Sequence, residues 1–488
     1  MLPRPKLARK NLRDFDGALF DQDIKITGVA VSADEIKPGD LFIALTGAKT
    51  HGMNFVTNAI TNGAVAVLSD KSADISVPLF VSKNAKRLVG EISAWYNDDP
   101  FKILVSVGIT GTNGKTTTVN LLKQIWKLTG KKTGVIGTIG TEINEKKYSG
   151  VRTTPEACAL QSIAALMIQE QVTNLAMEVS SHALIQERLS GAHFKIAGFT
   201  NLTQDHLDFH GNMENYFAAK SKLFTDELSD IAVINIDDPY GKKLYDLKSN
   251  KAISVSRIEK SGDWHYQNSS ASNGGFDIEI TNKQGQLISA FFPLLGEHNL
   301  DNLIMAVAIA AESGVATNEI AAVIPKLESV AGRLEQLNLG QSFNALVDYA
   351  HTPDAVERVL SSAKAFTSGR VIAILGCGGD RDKGKRPLMG QALKNHADVA
   401  IFTSDNPRSE APDQILSEMV GELEITSPNK VIIDRRAAIT YAVSIAQSGD
   451  SILLLGKGHE IGQEINGEVF AFSDRIELTD AINKVLAK

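Results

Sequence analysis

Short apolar runs alternate along the chain with longer segments in which apolar residues recur every three or four positions. The short runs predict buried strands, and the longer spacing predicts helices with one apolar face. Strands that alternate with helices are typical of parallel sheets with helices packed on their faces. The chain is therefore expected to adopt an α/β fold.

Two breaks in this alternation predict three domains. Turn-forming residues at 97–100 precede an apolar run at 103–107, and a second break lies near residues 330–333. The expected domains are residues 1–99, 100–331 and 332–488. After the second break, apolar runs predict strands at 345–347, 371–375, 399–402, 431–433 and 452–455. We expect a central P-loop-like parallel sheet and a Rossmann-like C-terminal domain.

Composition and charge narrow the class of partner. The 488 residues carry a formal net charge of −7, which argues against a surface for nucleic acid or anionic membrane and favours small-molecule partners. Cys158 and Cys377 lie too far apart to suggest a disulfide framework or a metal cluster. No secretion signal and no apolar run of ~20 residues is present, so we expect a cytoplasmic protein without membrane insertion. A monomeric state is also expected.

A phosphate-binding loop follows the apolar run at 103–107. Residues 108–118 read Gly-Ile-Thr-Gly-Thr-Asn-Gly-Lys-Thr-Thr-Thr, before a helical pattern at 119–128. Glycines let backbone N–H groups approach phosphate, Lys115 supplies charge, and a hydroxyl of Thr116 or Thr117 can reach a nucleotide-bound Mg²⁺. Ile109 stands where the strict motif has glycine, so an ordinary glycine-rich turn is the alternative. We predict that this loop binds ATP.

The middle of the chain carries further candidates for metal or phosphate chemistry. Glu178 follows the apolar run 175–177, where open α/β sheets bind ligands, and the nearby phosphate loop makes it a candidate Mg²⁺ ligand. A surface or capping residue is the alternative. Residues 205–210 hold two His and two Asp, although they match no zinc pattern, and a solvated polar loop is the alternative. A helical pattern at 216–224 carries Lys220.

Five motifs in this order resemble the Mur ligases, the ATP-dependent amide-forming enzymes of bacterial peptidoglycan synthesis. They are Thr-Gly-Thr-Asn-Gly-Lys-Thr-Thr at 110–117, Thr-Thr-Pro-Glu at 153–156, Glu-Val-Ser-Ser-His at 178–182, Asp-His-Leu-Asp-Phe-His at 205–210 and Gly-Glu-His-Asn at 296–299. The resemblance implies one domain each for a UDP-sugar, ATP and an incoming amino acid. It points to the family members that add a diamino acid to UDP-N-acetylmuramoyl-L-alanyl-D-glutamate.

The resemblance also implies roles for individual residues. The catalytic set would be Lys115, Glu178, His206 and Lys220, with Lys220 carbamylated. Mg²⁺ ions would be held by Thr116, Glu178, His206 and the Lys220 carbamate. ATP would contact Gly111, Thr112, Asn113, Gly114, Lys115, Thr116, Thr117, Asn299, Arg333 and Asp348. The UDP-linked substrate would contact Val31, Ala33, Thr153, Thr154, Ser180, Gln186 and Arg188. For Arg188 and Arg333 a surface ion pair is the alternative.

The implied reaction starts with attack of the D-glutamyl carboxylate on the γ-phosphate of ATP. An amine of the incoming amino acid then attacks the resulting acyl phosphate, and phosphate leaves. Lys115 and Mg²⁺ would neutralise the phosphate oxygens. A carbamate on Lys220 would attract these cations, whereas an ammonium would repel them.

Three motifs in the C-terminal third are expected to select the amino acid. Residues 376–387, 405–408 and 456–460 each follow a predicted strand, so they should meet at one rim. Meso-diaminopimelate carries a distal carboxylate that lysine lacks, and an arginine can bind it bidentately. We expect Arg408 to do so with Arg381, while Glu460 holds the ammonium. The full implied set is Arg381, Asp405, Asn406, Pro407, Arg408, Gly456 and Glu460; lysine is the alternative substrate.

The N-terminal region departs from the family pattern at one place. Residues 32–34 read Ser-Ala-Asp where the family commonly has Asp-Ser-Arg, which affects side-chain contacts to the UDP-sugar more than backbone contacts at Val31 or Ala33.

Two other functions are alternatives. A folylpolyglutamate-synthase-like ligase would share the ATP loop but leave Arg408 and Glu460 without a role. A nucleotide-dependent switch would leave the residues at 205–210 and Lys220 unexplained.

Overall fold

The computed structural model describes residues 2–47, 50–150, 152–248, 252–272 and 274–487. Three sheets dominated by parallel strands follow one another along the chain, each with helices packed against it. The predicted α/β class is confirmed. Within the described ranges, no helix combines the length and apolarity needed to cross a bilayer.

The N-terminal region contains a small parallel sheet in the order β3-β4-β5-β6 and a short antiparallel pair, β1 and β2. Its strands are Lys10–Asn11 (β1), Lys25–Ile26 (β2), Val29–Ala30 (β3), Leu41–Ala44 (β4), Ala66–Ser69 (β5) and Leu79–Val81 (β6). Its helices are Val56–Thr61 (α1) and Ala85–Tyr96 (α2). An apolar cluster that includes Leu41, Ile43 and Ile92 joins α2 to this sheet.

The central sheet is parallel from β8 to β15 and antiparallel at both edges, in the order β10-β9-β8-β11-β7-β12-β13-β14-β15-β16-β17. Its strands are Val105–Thr110 (β7), Thr133–Gly137 (β8), Gly140–Ile143 (β9), Lys146–Tyr148 (β10), Asn174–Glu178 (β11), Phe194–Phe199 (β12), Ser229–Asn235 (β13), Ala252–Ser256 (β14), Trp264–Ser272 (β15), Gly275–Asn282 (β16) and Leu287–Phe292 (β17). Its helices are Lys115–Leu128 (α3), Ala157–Gln169 (α4), Ser181–Ile185 (α5), Leu207–His210 (α6), Met213–Ser221 (α7), Pro239–Lys248 (α8), His298–Glu312 (α9) and Thr317–Val323 (α10).

Strand β7 lies at the centre of this sheet and is covered on both faces. Val107 and Ile109 pack in one apolar cluster with residues of α3 and α9, and a second cluster joins α4 and α7 to the opposite face. A strand covered on both faces has few polar positions, which explains why the run at 103–107 is apolar except at Ser106. The sheet therefore holds the loop after β7 in a fixed place.

The C-terminal sheet has the order β18-β19-β23-β20-β21-β22, parallel except for β18. Its strands are Glu335–Leu337 (β18), Asn344–Val347 (β19), Val371–Leu375 (β20), Val399–Phe402 (β21), Lys430–Val431 (β22) and Ser451–Leu454 (β23), followed by a separate hairpin of Gly462–Ile465 (β24) and Glu468–Ala471 (β25). Its helices are Pro353–Phe366 (α11), Lys385–His396 (α12), Pro412–Val420 (α13), Arg435–Ile445 (α14) and Asp474–Leu486 (α15). Apolar clusters cover both faces, as in a Rossmann-like sheet.

Several predicted element bounds were wrong. Strand β7 begins at Val105 rather than at Ile103, whose side chain is 62% exposed, and continues to Thr110. Helix α3 begins at Lys115 rather than at Val119. The apolar pattern does not mark its first turn, because that turn is polar where it faces a cavity. Helix α7 ends at Ser221, and the last predicted strand residues after Val431 are not in a strand. The domain boundaries at 99/100 and 331/332 stay predictions.

Candidate active site

A cavity of about 590 Å³ opens where the carboxyl ends of the central and C-terminal parallel strands face each other. This edge is where open α/β sheets bind ligands. We call one side of the cavity the P-loop end; residues 112–117 and Glu178 line it, and Gly111 and Lys220 lie beneath them. The other is the C-terminal end, formed by residues 376–381, 405–408 and 456–460.

The loop of the P-loop end depends on two glycines. Gly111 has φ +149°, and a Cβ there would lie 1.9 Å from Thr200 Oγ1. Gly114 has φ +84°, and its Cβ would lie 2.3 Å from Asn302 Oδ1. Any side chain at either position would clash in a backbone conformation that L-residues rarely adopt. The loop thus leads directly into α3, whose first-turn N–H groups have no partner inside the helix.

Lys115 folds back over this loop. Its Nζ donates to the carbonyl oxygens of Gly111 (2.8 Å) and Thr112 (3.0 Å). Burial lowers the pKa of Lys115, against the opposing influence of Glu178 and Asp205. The ammonium therefore lies beside the N-terminus of α3, where an anion is stabilised by the helix dipole.

Glu178 ends strand β11 and is 1% exposed. Its Oε2 accepts hydrogen bonds from Thr116 Oγ1 (2.8 Å) and Thr138 Oγ1 (3.1 Å), and its Oε1 accepts one from the Thr138 N–H (2.9 Å). No ion pair to this carboxylate is present in the described part of the chain. A buried carboxylate that has hydrogen bonds but no cation partner is suited to bind a metal ion.

Lys220 of α7 is also 1% exposed, and its Nζ donates to the Gly111 carbonyl at 2.7 Å. The same carbonyl accepts from Lys115, so two amino groups share one acceptor. Burial, with the charge of Lys115 as a second cause, lowers the pKa of Lys220 well below its ordinary value. The uncharged amine, which is the nucleophilic form of lysine, is thereby favoured.

His206 lies at the start of α6 in the left-handed region, with φ +52°. Its Nε2 is 3.3 Å from Asp205 Oδ2, and its ring meets that of His182 edge to face, with centroids 4.9 Å apart. Burial lowers the pKa of His206 to about 4, so the imidazole is neutral near pH 7. A neutral imidazole is the form that binds a metal ion.

The expected metal ligands do not form a ready-made metal cluster. Among the described residues, no three His, Cys, Asp or Glu side chains converge in a way that could hold a metal ion. The structure instead brings Thr116, Glu178 and His206 to the wall of one cavity, with Lys220 held at the Gly111 carbonyl beneath the loop.

The remaining residues predicted to contact ATP, apart from Gly111, also line this cavity. Arg333 Nη2 donates to Thr116 Oγ1 (3.2 Å) and its guanidinium covers the Tyr349 ring at 4.7 Å. Its Nε is buried without a hydrogen-bond partner in the described ranges. Asp348 accepts from the N–H groups of Leu334 and Ala350, both at 2.7 Å. Asn299 and residues 112–117 complete this wall.

The residues predicted to contact the UDP-linked substrate are only partly brought together. Thr153 and Ser180 line the cavity, while Thr154 lies behind Ser180 and bonds to its N–H at 3.0 Å. Arg188 donates to the Thr154 carbonyl (3.1 Å) and to Gln186 Oε1. Val31 and Ala33 lie away from the cavity, next to the N-terminal sheet.

At the C-terminal end, the three predicted motifs meet as expected. Strands β20, β21 and β23 are neighbours, so the loops that follow them lie side by side. The cavity is lined there by Arg381, Asp405, Asn406, Arg408, Gly456 and Glu460, whereas Pro407 does not line it. Glu460 Oε2 accepts from Asn406 Nδ2 (2.8 Å) and from Lys457 Nζ (3.0 Å).

Sequence reasoning missed three residues that hold these side chains. Thr138 fixes Glu178, but nothing in its sequence surroundings marks it. Lys457 is fully buried under the C-terminal end, and its place between two glycines in the motif 456–460 could have singled it out. Glu464 pairs with Arg408 at 3.1 Å from a hairpin that sequence reasoning did not connect with the site.

Known proteins resemble the chain along almost its entire length. Family models match residues 25–98 (Mur ligase family, catalytic domain), 109–310 (Mur ligase middle domain) and 332–458 (Mur ligase, glutamate ligase domain). A curated relative from Streptomyces avermitilis, UDP-N-acetylmuramoyl-L-alanyl-D-glutamate–2,6-diaminopimelate ligase, is 40% identical over 475 residues, which cover 95% of this chain and 94% of the relative.

Solved structures extend this similarity to the fold. The structure of a UDP-N-acetylmuramoyl-L-alanyl-D-glutamate–2,6-diaminopimelate ligase is 33% identical with a TM-score of 0.71, covering 98% of this chain and 100% of that chain. A Mycobacterium tuberculosis folylpolyglutamate synthase complexed with ADP shares the fold at 17% identity and a TM-score of 0.62, covering 76% of this chain and 91% of that one. By its family matches and its identity to these relatives, the chain belongs to the Mur ligase family.

Proposed function

We propose that the chain is an ATP-dependent ligase that adds meso-diaminopimelate to UDP-N-acetylmuramoyl-L-alanyl-D-glutamate in peptidoglycan precursor synthesis. The observation that carries the proposal is the continuous cavity. Lys115 and Glu178 line one side of it, and Arg381, Arg408 and Glu460 line the other. A ligase must bring a carboxylate activated at the first side to an amine held at the second. The diaminopimelate-ligase names of the curated relatives support the same reaction.

The P-loop end has the features needed to bind the phosphates of ATP. The backbone of residues 111–117, the start of α3 and Lys115 would surround the β- and γ-phosphates. The buried Nε of Arg333 has no hydrogen-bond partner among the described residues, and an anion would satisfy it. Asn299 and Asp348, on the same wall, would contact the adenine and ribose.

The donor set at this end fits Mg²⁺. Glu178 and Thr116 supply the hard oxygen ligands that this ion prefers, and Glu178 has no competing cation partner in the described ranges. When bound, Mg²⁺ would neutralise charge on the phosphate oxygens. Residues that would hold a second ion are His206 and a carbamate on Lys220.

The surroundings of Lys220 favour carbamylation. Its amine is buried, lies close to Lys115 and is thereby shifted toward the neutral form, which can attack carbon dioxide. The neutral amine nitrogen bonds to the carbon of carbon dioxide and loses one proton, so the uncharged amine becomes an anionic carbamate. A carbamate would then provide oxygen ligands next to the phosphate-binding loop.

The reaction would proceed in two steps. The D-glutamyl carboxylate attacks the γ-phosphate of ATP, ADP leaves and an acyl phosphate forms. Lys115 and the N-terminus of α3 would stabilise the charge that develops on the phosphate. The amine of the second substrate, held at the C-terminal end, then attacks the acyl carbon and phosphate leaves. Thr153, Ser180 and Arg188 would hold the UDP-linked substrate so that its carboxylate points toward the loop.

The C-terminal end has the charges needed to recognise an amino acid with two carboxylates. Arg408 and Arg381 would hold the distal carboxylate, and Glu460 would hold the distal ammonium. Asp405 and Asn406 would position these groups together with Gly456. L-Lysine is the second candidate for this site, since it has the same ammonium, but it lacks the distal carboxylate that Arg408 and Arg381 would hold.

A folylpolyglutamate-synthase-like activity is a weaker alternative. The likeness to that synthase leaves about a quarter of this chain uncovered, and it concerns the fold alone. The charges around Arg408 and Glu460 would have no use in it.

The proposal further includes domains at 1–99, 100–331 and 332–488, a cytoplasmic location and a monomeric state.

Mass spectrometry of the nucleotide product tests the proposal. The protein is incubated with Mg-ATP, UDP-N-acetylmuramoyl-L-alanyl-D-glutamate and an equal mixture of meso-diaminopimelate and L-lysine. We expect a diaminopimelate adduct together with ADP and phosphate. A lysine adduct would overturn the assignment of the amino acid, and ATP hydrolysis without any adduct would overturn the ligase reaction.

A further inference from the structure

Strand β24 and the turn that joins it to β25 contact the loop at residues 405–408. Gln463 Nε2 donates to the Asp405 carbonyl (2.6 Å), and the Glu464 N–H donates to Asn406 Oδ1 (3.0 Å). The Arg408 N–H donates to the Glu464 carbonyl (3.0 Å). The Asn466 N–H donates to the Arg408 carbonyl (2.7 Å). The hairpin thus holds this loop through both backbone and side chains.

This contact keeps Arg408 in an unfavourable backbone conformation. Arg408 has φ +53°, in the left-handed region that non-glycine residues seldom occupy. Such conformations persist only when the surrounding structure imposes them, and they cluster at functional sites. The hairpin has a tight turn with φ +51° at Asn466 and +81° at Gly467, an Asn-Gly pair that favours a two-residue connection.

The side chain of Arg408 is fixed as well. Its Nε donates to Glu464 Oε2 at 3.1 Å, and its Nη1 donates to the Gly379 carbonyl at 2.7 Å. Arginine has five N–H donors, so three remain on the guanidinium, which is enough for a bidentate carboxylate. Arg408 lines the cavity, whereas Glu464 does not. The Glu464 carboxylate, which bonds to Arg408, therefore acts on a bound ligand through that arginine.

We propose that Glu464 is a positioning residue for substrate choice, because it orients the Arg408 guanidinium so that the free donors face the distal carboxylate of the incoming amino acid. This inference rests on the function proposed above. An arginine with many rotatable bonds would otherwise sample several directions, and the substrate would have to immobilise it on binding. The Glu464 carboxylate lowers that cost before the substrate arrives.

The test measures kinetics of the full-length protein with Glu464→Ala. We expect the KM for meso-diaminopimelate to rise about tenfold, with kcat and the KM values for ATP and the UDP-linked substrate changed less than twofold. Glu464→Gln should recover part of the loss, since its amide oxygen can still accept from Arg408 Nε. Glu468→Ala is the matched control: it removes the same charge from the other strand of the hairpin, where no contact to Arg408 is present in the described ranges.

A double-mutant cycle separates positioning from a general effect on the hairpin. In an Arg408→Ala background, Glu464→Ala should have no further effect on the KM for diaminopimelate, because its target is gone. An additive loss in the double mutant would overturn the inference, and so would an unchanged or lower KM in Glu464→Ala alone. If the wild-type protein forms no diaminopimelate adduct, the proposed function fails; if it does and only the Glu464 effect is missing, this inference alone fails.

Discussion

The P-loop end and the C-terminal end of the cavity are built in different ways. At the P-loop end, one continuous stretch, residues 111–117, provides the loop and the first turn of a helix on a central strand. At the C-terminal end, three loops and a hairpin each contribute a few side chains, tied by ion pairs such as Arg408–Glu464. The P-loop end suits the phosphate chemistry that the members of a family share. At the C-terminal end, the substitution of a single side chain can change which ligand is bound.

The two ends also differ in how their charged side chains are paired. At the P-loop end, two lysines lie close together without a described ion pair, and burial lowers the pKa of both. At the C-terminal end, Lys457 and Arg408 are each paired with a glutamate. Unpaired buried groups need a ligand or a modification, whereas paired groups already hold a fixed shape. Substitutions should therefore stop the chemistry at one end and change selectivity at the other.

The largest effect is expected for Lys220→Ala. If Lys220 carries a carbamate, its loss removes oxygen ligands next to the phosphate loop, and kcat should fall by roughly 10³-fold. Short carboxylic acids added to the buffer should restore part of the activity. Steady-state kinetics checks this, with Lys222→Ala as the control because that side chain is exposed one residue after α7 ends. Full activity of Lys220→Ala in plain buffer would remove the carbamate from the mechanism.

Arg408→Ala should have the next largest effect and should leave the P-loop end intact. We expect kcat/KM for diaminopimelate to fall by about 100-fold while the KM for ATP stays within twofold, since the lost group pairs with a substrate carboxylate. Competition between diaminopimelate and lysine measures the change in selectivity. Arg436→Ala, on an arginine that is 63% exposed, should change neither quantity. An unchanged preference would show that selectivity lies elsewhere.

A smaller effect is expected for Thr138→Val. Valine has the same shape but cannot donate to Glu178 Oε2, while the backbone N–H of residue 138 still bonds to Oε1. We expect kcat/KM for ATP to fall about tenfold, near the value of one hydrogen bond to a charged group. The KM for diaminopimelate should be unchanged. Thr440→Val, on the outer helix α14, controls for the loss of a threonine hydroxyl.

The smallest effect is expected at Glu410, which supports the C-terminal end from outside the cavity. Arg386 donates two hydrogen bonds to its carboxylate, which, with the Asp380 N–H, lower the pKa of Glu410 from 4.5 to about 2. A folded-state pKa below the unfolded value contributes stability above pH 4.5 that is lost as the pH falls toward 2. Glu410→Gln should lower Tm by a few degrees at pH 7 and by less at pH 3. Equal losses at both pH values would contradict this assignment.

Much of the fold could be read from local patterns. The strands at 371–375 and 399–402 were predicted residue for residue, because parallel strands buried on both faces appear as unbroken apolar runs. The start of α3 was missed, since its first turn is polar where it faces the cavity. The spacing of apolar residues shows which positions are buried in the core. A helix end that faces a ligand cavity is polar, so this spacing does not reveal it.

The sequence by itself determined the phosphate loop, the order of the motifs and the residue types available for the site, because each of these depends on neighbours within a few positions. Only the tertiary structure decided that Thr138 holds Glu178, that Lys115 and Lys220 share the Gly111 carbonyl, and that Glu464 holds Arg408. The contacts Thr138–Glu178, Lys220–Gly111 and Glu464–Arg408 join residues 40, 109 and 56 positions apart. Such pairs depend on how sheets and loops pack against each other. The secondary-structure propensity of a short segment does not contain this information.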